Sequence, residues 1–286
     1  MDDFKGKVAV ITGAASGMGR EFATMAASLG MKLVLGDVQR KPLEKAAEEL
    51  MDGGAEVIAM VCDVRKSAHV QELADSAMAR FGAVHLLFNN AGVGAGGLIW
   101  ENSKEDWEWV LGVNLYGVVN GVRAFIPVML ECAAKDPAYR GYVVNTASMA
   151  GLINSPALGL YNVSKHAVVA LTETLYHDLK LVDAPIGTSV LCPYFIPTQI
   201  AQSHRHRPDE LRTDEIMTAS QMAAQVAQLT FDAIRAERFY VFSHPQALGT
   251  VAEHADAMVH GRQPPDPYAA TPHLRDILKV GLKGRR

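Results

Sequence analysis

Lys7-Val8-Ala9-Val10-Ile11-Thr12-Gly13-Ala14-Ala15-Ser16-Gly17-Met18-Gly19 is a short apolar run that breaks into a glycine-rich turn. From Lys7 to Thr12 the run lacks a polar face, as a strand covered by helices on both sides requires. A helix-length amphipathic segment, Met18–Leu29, follows at once. Strand, glycine turn and helix in that order open a β-α-β unit. The glycines let the backbone come close to a pyrophosphate, whose charge sits on the helix N-terminus. Their spacing, G-x-x-x-G-x-G, departs from the strict G-x-G-x-x-G pattern, although the physics is the same. Gly13, Ser16, Gly17, Met18 and Gly19 are therefore candidate cofactor contacts, and a purely structural turn is the alternative.

Working outward, six more short apolar runs alternate with longer amphipathic segments. The runs are Lys32–Gly36, Glu56–Val61, Val84–Phe88, Tyr142–Asn145, Thr188–Cys192 and Phe239–Phe242. Helical patterns cover about Pro42–Leu50, Ser67–Phe81, Lys104–Ala133, Leu158–Leu181 and Ala219–Ala236, with Pro42 at a first-turn position and Gly30 and Gly82 at helix ends. The alternation predicts an α/β fold: a doubly wound parallel sheet with helices on both faces and right-handed crossovers. The expected organisation is one domain over 1–260, including an irregular polar loop at 195–218, followed by a C-terminal arm at 261–286. The arm carries Pro264, Pro265, Pro267 and Pro272 and is read without helices.

Bulk properties narrow the function classes. The chain has 286 residues and a net charge of −4 with both signs interspersed, which leaves no electrostatic footprint for nucleic acid. Apolar stretches are cut by Gly, Asn or charge, and the N-terminus lacks a secretory apolar segment, so neither a membrane span nor export is expected. Cys62, Cys132 and Cys192 have no ligand or disulfide spacing, which fits reduced thiols in a cytoplasmic protein without a metal.

The ends of the expected strands supply further cofactor candidates. Asp37 lies eighteen residues past Gly19, where a carboxylate can accept hydrogen bonds from a ribose 2′-hydroxyl and would repel a 2′-phosphate. NAD is favoured, and NADP is the alternative because Arg40 could swing over to a phosphate. The other reading of Asp37 is a strand-end turn residue. Asp63 and Val64 would reach the adenine edge, unless Asp63 caps the next helix. Asn89-Asn90-Ala91-Gly92 ends the fourth run at the carboxyl edge of the sheet, where open α/β sheets bind ligands.

The reactive group is read from Tyr161 and Lys165, one helical turn apart, with Ser148 thirteen residues upstream of the tyrosine. A phenol exchanges protons near neutral pH only when its anion is stabilised, and an ammonium on the same helix face can do that. The required depression is roughly two to three pH units from a free value near ~10, or about 3–4 kcal/mol. Ser148 could hold a carbonyl or alcohol oxygen beside that phenol. Together with the glycine turn, the trio points to redox chemistry on an alcohol or ketone.

In order and spacing, Thr12–Gly19, Asp63, Asn89–Gly92, Asn114, Ser148, Tyr161 and Lys165 resemble the short-chain dehydrogenase/reductase family. The resemblance implies that Tyr161 is the acid/base, that Lys165 lowers its pKa and binds the nicotinamide ribose, and that Ser148 orients the substrate oxygen. It further implies that Asn114 holds a water linking Lys165 to solvent, although a polar residue bonding the backbone mid-helix is also consistent with its position. Asn90 and Gly92 would line the cofactor groove, and Pro193, Ile196 and Thr198 would contact the nicotinamide end. It implies, too, a single Rossmann-like domain with a seven-stranded doubly wound parallel sheet, and a homodimer or homotetramer joined through the long helices.

One departure stands out: Tyr194 follows Pro193 where the family usually has glycine. The loop is expected to take an altered path, with Tyr194 in the substrate wall. Met149, Leu152 and Leu158 are further apolar candidates there. The substrate is read as a bulky hydrophobic or aromatic secondary alcohol or its ketone. Trp107–Asn114 and Ser189–Pro193 look similar to a bacterial branch that includes dehydrogenases of benzylic alcohols in lignin-type aromatics. The competing readings are an NADP-dependent carbonyl or 3-oxoacyl reductase and an NAD-sensing binding protein. The run Ser203-His204-Arg205-His206-Arg207 reads as a solvated basic loop.

Overall fold

A computed structural model describes residue 1 and residues 3–194, 219–269 and 272–283. All seven apolar runs are strands: β1 (Val8–Thr12), β2 (Lys32–Asp37), β3 (Val57–Val61), β4 (Leu86–Asn89), β5 (Gly141–Thr146), β6 (Ile186–Cys192) and β7 (Tyr240–Phe242). They form one parallel sheet in the order β3-β2-β1-β4-β5-β6-β7. The connection from β3 to β4 crosses back over β2 and β1, so the chain changes direction of growth between β1 and β4. Ligand crevices of open α/β sheets lie at such a point, beyond the carboxyl ends of the strands.

Alternate residues of each strand serve different cores. On one face, Ala9, Ile11, Leu33, Leu35, Leu86 and Phe88 pack with Phe22 of α1 (Gly17–Ser28) and Phe231 of α7 (Ala219–Arg235). Phe22 and Phe88 stack with ring centroids 4.6 Å apart. On the other face, Val8, Val10, Val34 and Leu87 meet Leu73 of α3 (Ser67–Phe81) and Phe125 and Met129 of α5 (Gly117–Lys135). Burying side chains of this size contributes about 1.5–3 kcal/mol each, which is why runs apolar on both faces sit at the centre of the sheet. The remaining crossover helices are α2 (Arg40–Asp52), α4 (Lys104–Leu111) and α6 (Gly159–Leu181). Pro42 falls in the first turn of α2, and Gly82 closes α3 with a φ of 73°.

Three segments differ from the sequence reading. The single helix expected over Lys104–Ala133 is α4, a π-helical segment (Gly112–Tyr116) and α5 in succession. Its cause is local: Asn114 spends its side chain on other segments, and a Cβ on Gly117 would lie 2.7 Å from Val64 Cγ2. The composite run Lys104–Lys135 is long and apolar enough to cross a membrane, yet Phe125 and Met129 on it are core residues against the sheet. The C-terminal region holds α8 (Leu248–Val259) and, within the arm read as irregular, α9 (Pro272–Lys283). Pro272 opens α9 where its missing N–H has no helical partner to lose, so this proline starts a helix.

Candidate active site

The glycine turn is shaped by close contacts. Gly13 has a φ of +67°, and a Cβ there would meet Ala91 Cα at 2.8 Å. A Cβ on Gly19 would lie 2.0 Å from the Gly13 carbonyl oxygen. Ser16 is the N-cap of α1 but makes no side-chain cap bond, and the first turn carries no acidic residue. Gly17 and Met18 begin the helix, so their N–H groups meet no side-chain cap and suit an anion.

Asn90 fastens this turn to the middle of the sheet. Its backbone N–H donates to Thr12 Oγ1 (3.0 Å), and its Nδ2 donates to Thr12 O (3.1 Å). Asp37, at the end of β2, is buried. Its carboxylate accepts from the Ala15 N–H (3.0 Å) and the Gln39 N–H (2.9 Å), so it also closes a strand-end turn against the glycine loop. Arg40 points instead to Glu44 (3.5 Å). Asp63 does not cap α3, whose N-cap is Lys66; its carboxylate is taken by Arg65 at 2.7 Å, which holds its pKa below the usual range. Val64 is buried and accepts a hydrogen bond from Asn120 Nδ2 (2.8 Å).

Helix α6 carries the reactive side chains to the carboxyl end of β5. Lys165 is 2% exposed and donates to the carbonyl of Thr146 (2.9 Å), the last residue of that strand. Its Nζ stands 5.7 Å from the Tyr161 ring centroid. Ser148 caps the short turn Met149–Gly151 through the Ala150 N–H (3.1 Å) and lies 3.4 Å from Pro193 O. Its hydroxyl also acts on the Tyr161 phenol, lowering its pKa. A serine hydroxyl has one proton, so Pro193 O and the Tyr161 oxygen compete for it.

Asn114 is fully buried on the π-helical segment. Its Oδ1 accepts from the Val93 N–H (2.8 Å), and its Nδ2 donates to Val93 O (2.9 Å) and Ser164 Oγ (3.0 Å). It therefore ties the segment after β4 to α6, and does not bond its own helix. A Cβ on Gly92 would sit 3.5 Å from Asn114 Oδ1 and 3.6 Å from Lys165 Nζ. A side chain at that position would therefore be in van der Waals contact with the buried ammonium.

Electrostatics sharpen the arrangement. Burial pushes the Tyr161 phenol up to about 12, opposed by the Ser148 hydrogen bond. Burial also brings Lys165 down to about 8, with Cys192 acting in the opposite direction, so the lysine is still a cation at neutral pH. With protein groups alone, the phenol is thus further from neutral titration than a free tyrosine. The depression expected from Lys165 is not seen: burial raises the phenol, and Ser148 is the group that opposes it.

These features agree with what the sequence matches as a whole. Residues 7–209 fit the model of the short chain dehydrogenase family. The chain belongs to that family. A short chain dehydrogenase/reductase from Burkholderia phymatum, solved in complex with NAD, is 51% identical, covers 93% of this chain and 99% of its own, and superimposes with a TM-score of 0.84. The C alpha-dehydrogenase of a Sphingobium strain is 30% identical over 98% of this chain and 95% of its own length. The 1-deoxy-11-beta-hydroxypentalenate dehydrogenase of Streptomyces avermitilis is 34% identical over 84% and 85% respectively.

As a short chain dehydrogenase, the protein also shows contacts that its sequence did not announce. Thr146 acts through a backbone carbonyl, which no residue pattern reveals. Ser164, three residues after Tyr161, was open to inspection as a partner for a buried amide. Tyr194 is 49% exposed; its N–H donates to Ser243 Oγ (3.0 Å), and its ring packs on His244 with centroids 5.6 Å apart. Of the expected contacts, Pro193 is placed beside Ser148, whereas Ile196, Thr198, the rest of the 195–218 loop and the Ser203–Arg207 run lie outside the described residues.

Proposed function

We propose that the chain is an NAD-dependent dehydrogenase that interconverts a bulky hydrophobic or aromatic secondary alcohol and its ketone. The observation that carries this reading is the convergence of Ser148, Tyr161 and Lys165 at the end of β5, next to the glycine turn. Two features suit NAD: the N–H groups at the start of α1, which no side-chain cap satisfies, and the Asp37 carboxylate beside the turn. Arg40 is engaged by Glu44, which favours a ribose hydroxyl over a 2′-phosphate. The Burkholderia relative, solved with NAD, supports the same choice.

When bound, NAD supplies the hydride acceptor and a positive charge beside Tyr161. The Tyr161 oxygen takes the proton of the substrate hydroxyl, while Ser148 donates to the same substrate oxygen and fixes its distance from the phenol. Lys165, anchored on Thr146 O, holds its charge close to the ring and favours the phenolate. Asn114 positions α6 against the segment after β4, so that the lysine and Gly92 share one face of the crevice. The apolar neighbours Met149 and Leu152, partly or fully buried beside Ser148, suit a hydrophobic substrate. A homodimer or homotetramer belongs to the same reading, as membership of the short chain dehydrogenase family implies.

Mixing the protein with NAD and a panel of aromatic and aliphatic secondary alcohols tests this directly. Reduction of NAD by bulky hydrophobic members is the expected result. Activity confined to thioester-bound 3-ketones, or binding of NAD with no turnover of any member, would contradict it.

A further inference from the structure

The carboxylate of Asp63 is filled by its own neighbour. Its Oδ1 accepts from the Arg65 N–H (3.1 Å) and Nε (3.0 Å), and its Oδ2 accepts from Nε (3.2 Å) and Nη2 (2.7 Å). An ionised carboxylate offers about four acceptor sites, so Arg65 occupies the set. The segment around this pair is held by other means. A Cβ on Gly112 would lie 3.2 Å from Arg65 Cδ, so the arginine stem rests on the start of the π-helical segment. The Val64 carbonyl accepts from Asn120 Nδ2 (2.8 Å), the Val64 side chain packs against Gly117, and the Asp63 N–H donates to His69 Nδ1 (3.3 Å). The guanidinium can therefore leave the carboxylate while the backbone of 63–65 stays in place.

Asp63 stands on the same edge of the sheet as the glycine turn. Val61, the last residue of β3, pairs with Asp37, and the Cys62 N–H donates to Asp37 O (2.9 Å). The Asp37 carboxylate in turn accepts from the Ala15 N–H of the turn. The Asp63 side chain is 14% exposed and that of Arg65 46%, so the pair faces solvent at this edge. An exposed ion pair is a weak bond, which a ligand can exchange. The amino group of adenine is a hydrogen-bond donor and needs an acceptor with a vacant site. Resting on the NAD reading above, we propose that Arg65 is an internal competitor: its guanidinium releases Asp63 when the adenine amino group binds there, and Arg65 thereby sets how strongly the protein prefers adenine.

The test is titration calorimetry of the full chain, Arg65→Met and Arg65→Lys with NAD and with nicotinamide hypoxanthine dinucleotide, whose base carries a carbonyl in place of the amino group. Both ligands have the same pyrophosphate and feel the lost positive charge alike, so the ratio of their affinities isolates the base. The expected result is a preference for NAD that rises about twofold to fivefold in Arg65→Met. It should rise in Arg65→Lys as well, because an ammonium cannot fill both carboxylate oxygens as the planar fork does. In an Asp63→Ala background, Arg65→Met should leave the ratio unmoved. Should Arg65→Met melt at a much lower temperature, Arg65→Lys is read in its place. An unmoved or lowered ratio with NAD still bound would overturn the competitor alone. Binding of neither dinucleotide to the unmodified chain or the variants would overturn the NAD reading, and the competitor with it.

Discussion

The two sides of the crevice are built by different means. On the cofactor side, Gly13, Gly19, Asn90 and Asp37 shape a short stretch of backbone, and nearly every contact is a main-chain N–H, a carbonyl or the absence of a Cβ. On the opposite side, where Pro193 meets Ser148, Tyr194 beyond β6 and His244 after β7 come from separate segments and pack through their rings, 5.6 Å between centroids. Backbone geometry at a glycine turn tolerates little change, whereas packed side chains beyond the strand ends can be altered without disturbing the sheet.

Where the halves meet, the largest effect is expected. Tyr161→Phe removes the proton acceptor and leaves the ring packing in place, so turnover should fall about 10²–10⁴-fold while NAD affinity changes little. Stopped-flow turnover beside calorimetric NAD binding separates the two quantities. Equal loss of both would mean that Tyr161 serves the cofactor side. Gly19→Ala should act in the opposite way. With a Cβ 2.0 Å from Gly13 O, it should cost about 3 kcal/mol of stability and abolish NAD binding, read by urea unfolding and by titration. Near-normal binding in that variant would break the contrast between a rigid half and a variable one.

The same contrast explains what could be read before any coordinates. All seven strands follow from apolar runs such as Lys7–Thr12 and Tyr142–Asn145, because a strand covered on both faces has no polar side to confuse the pattern. The glycine turn and the Tyr161/Lys165 pair were legible because their spacing is local: one tight turn and one turn of helix. Asn114 was found by resemblance, yet its partners Val93 and Ser164 and its π-helical setting depend on packing between segments. The C-terminal arm differs from its sequence reading because Pro264, Pro265 and Pro267 mark an irregular strap while Pro272 marks a helix start, and composition does not separate the two uses. Tyr194 stands out in the sequence as a departure, but nothing local links it to its ring partner His244.

The central claim is electrostatic: burial holds the Tyr161 phenol near 12, and a cation brought beside it lowers that value enough for proton exchange with an alcohol. Because a positive neighbour favours the phenolate, the pKa must drop when NAD binds, and alcohol oxidation must rise with pH through the lowered value. The direct measurement is an ultraviolet difference titration of the tyrosinate band, unmodified chain minus Tyr161→Phe, with and without NAD. The account predicts that the Tyr161 signal appears at least about two pH units lower when NAD is present. A signal at the same pH in both conditions would contradict it.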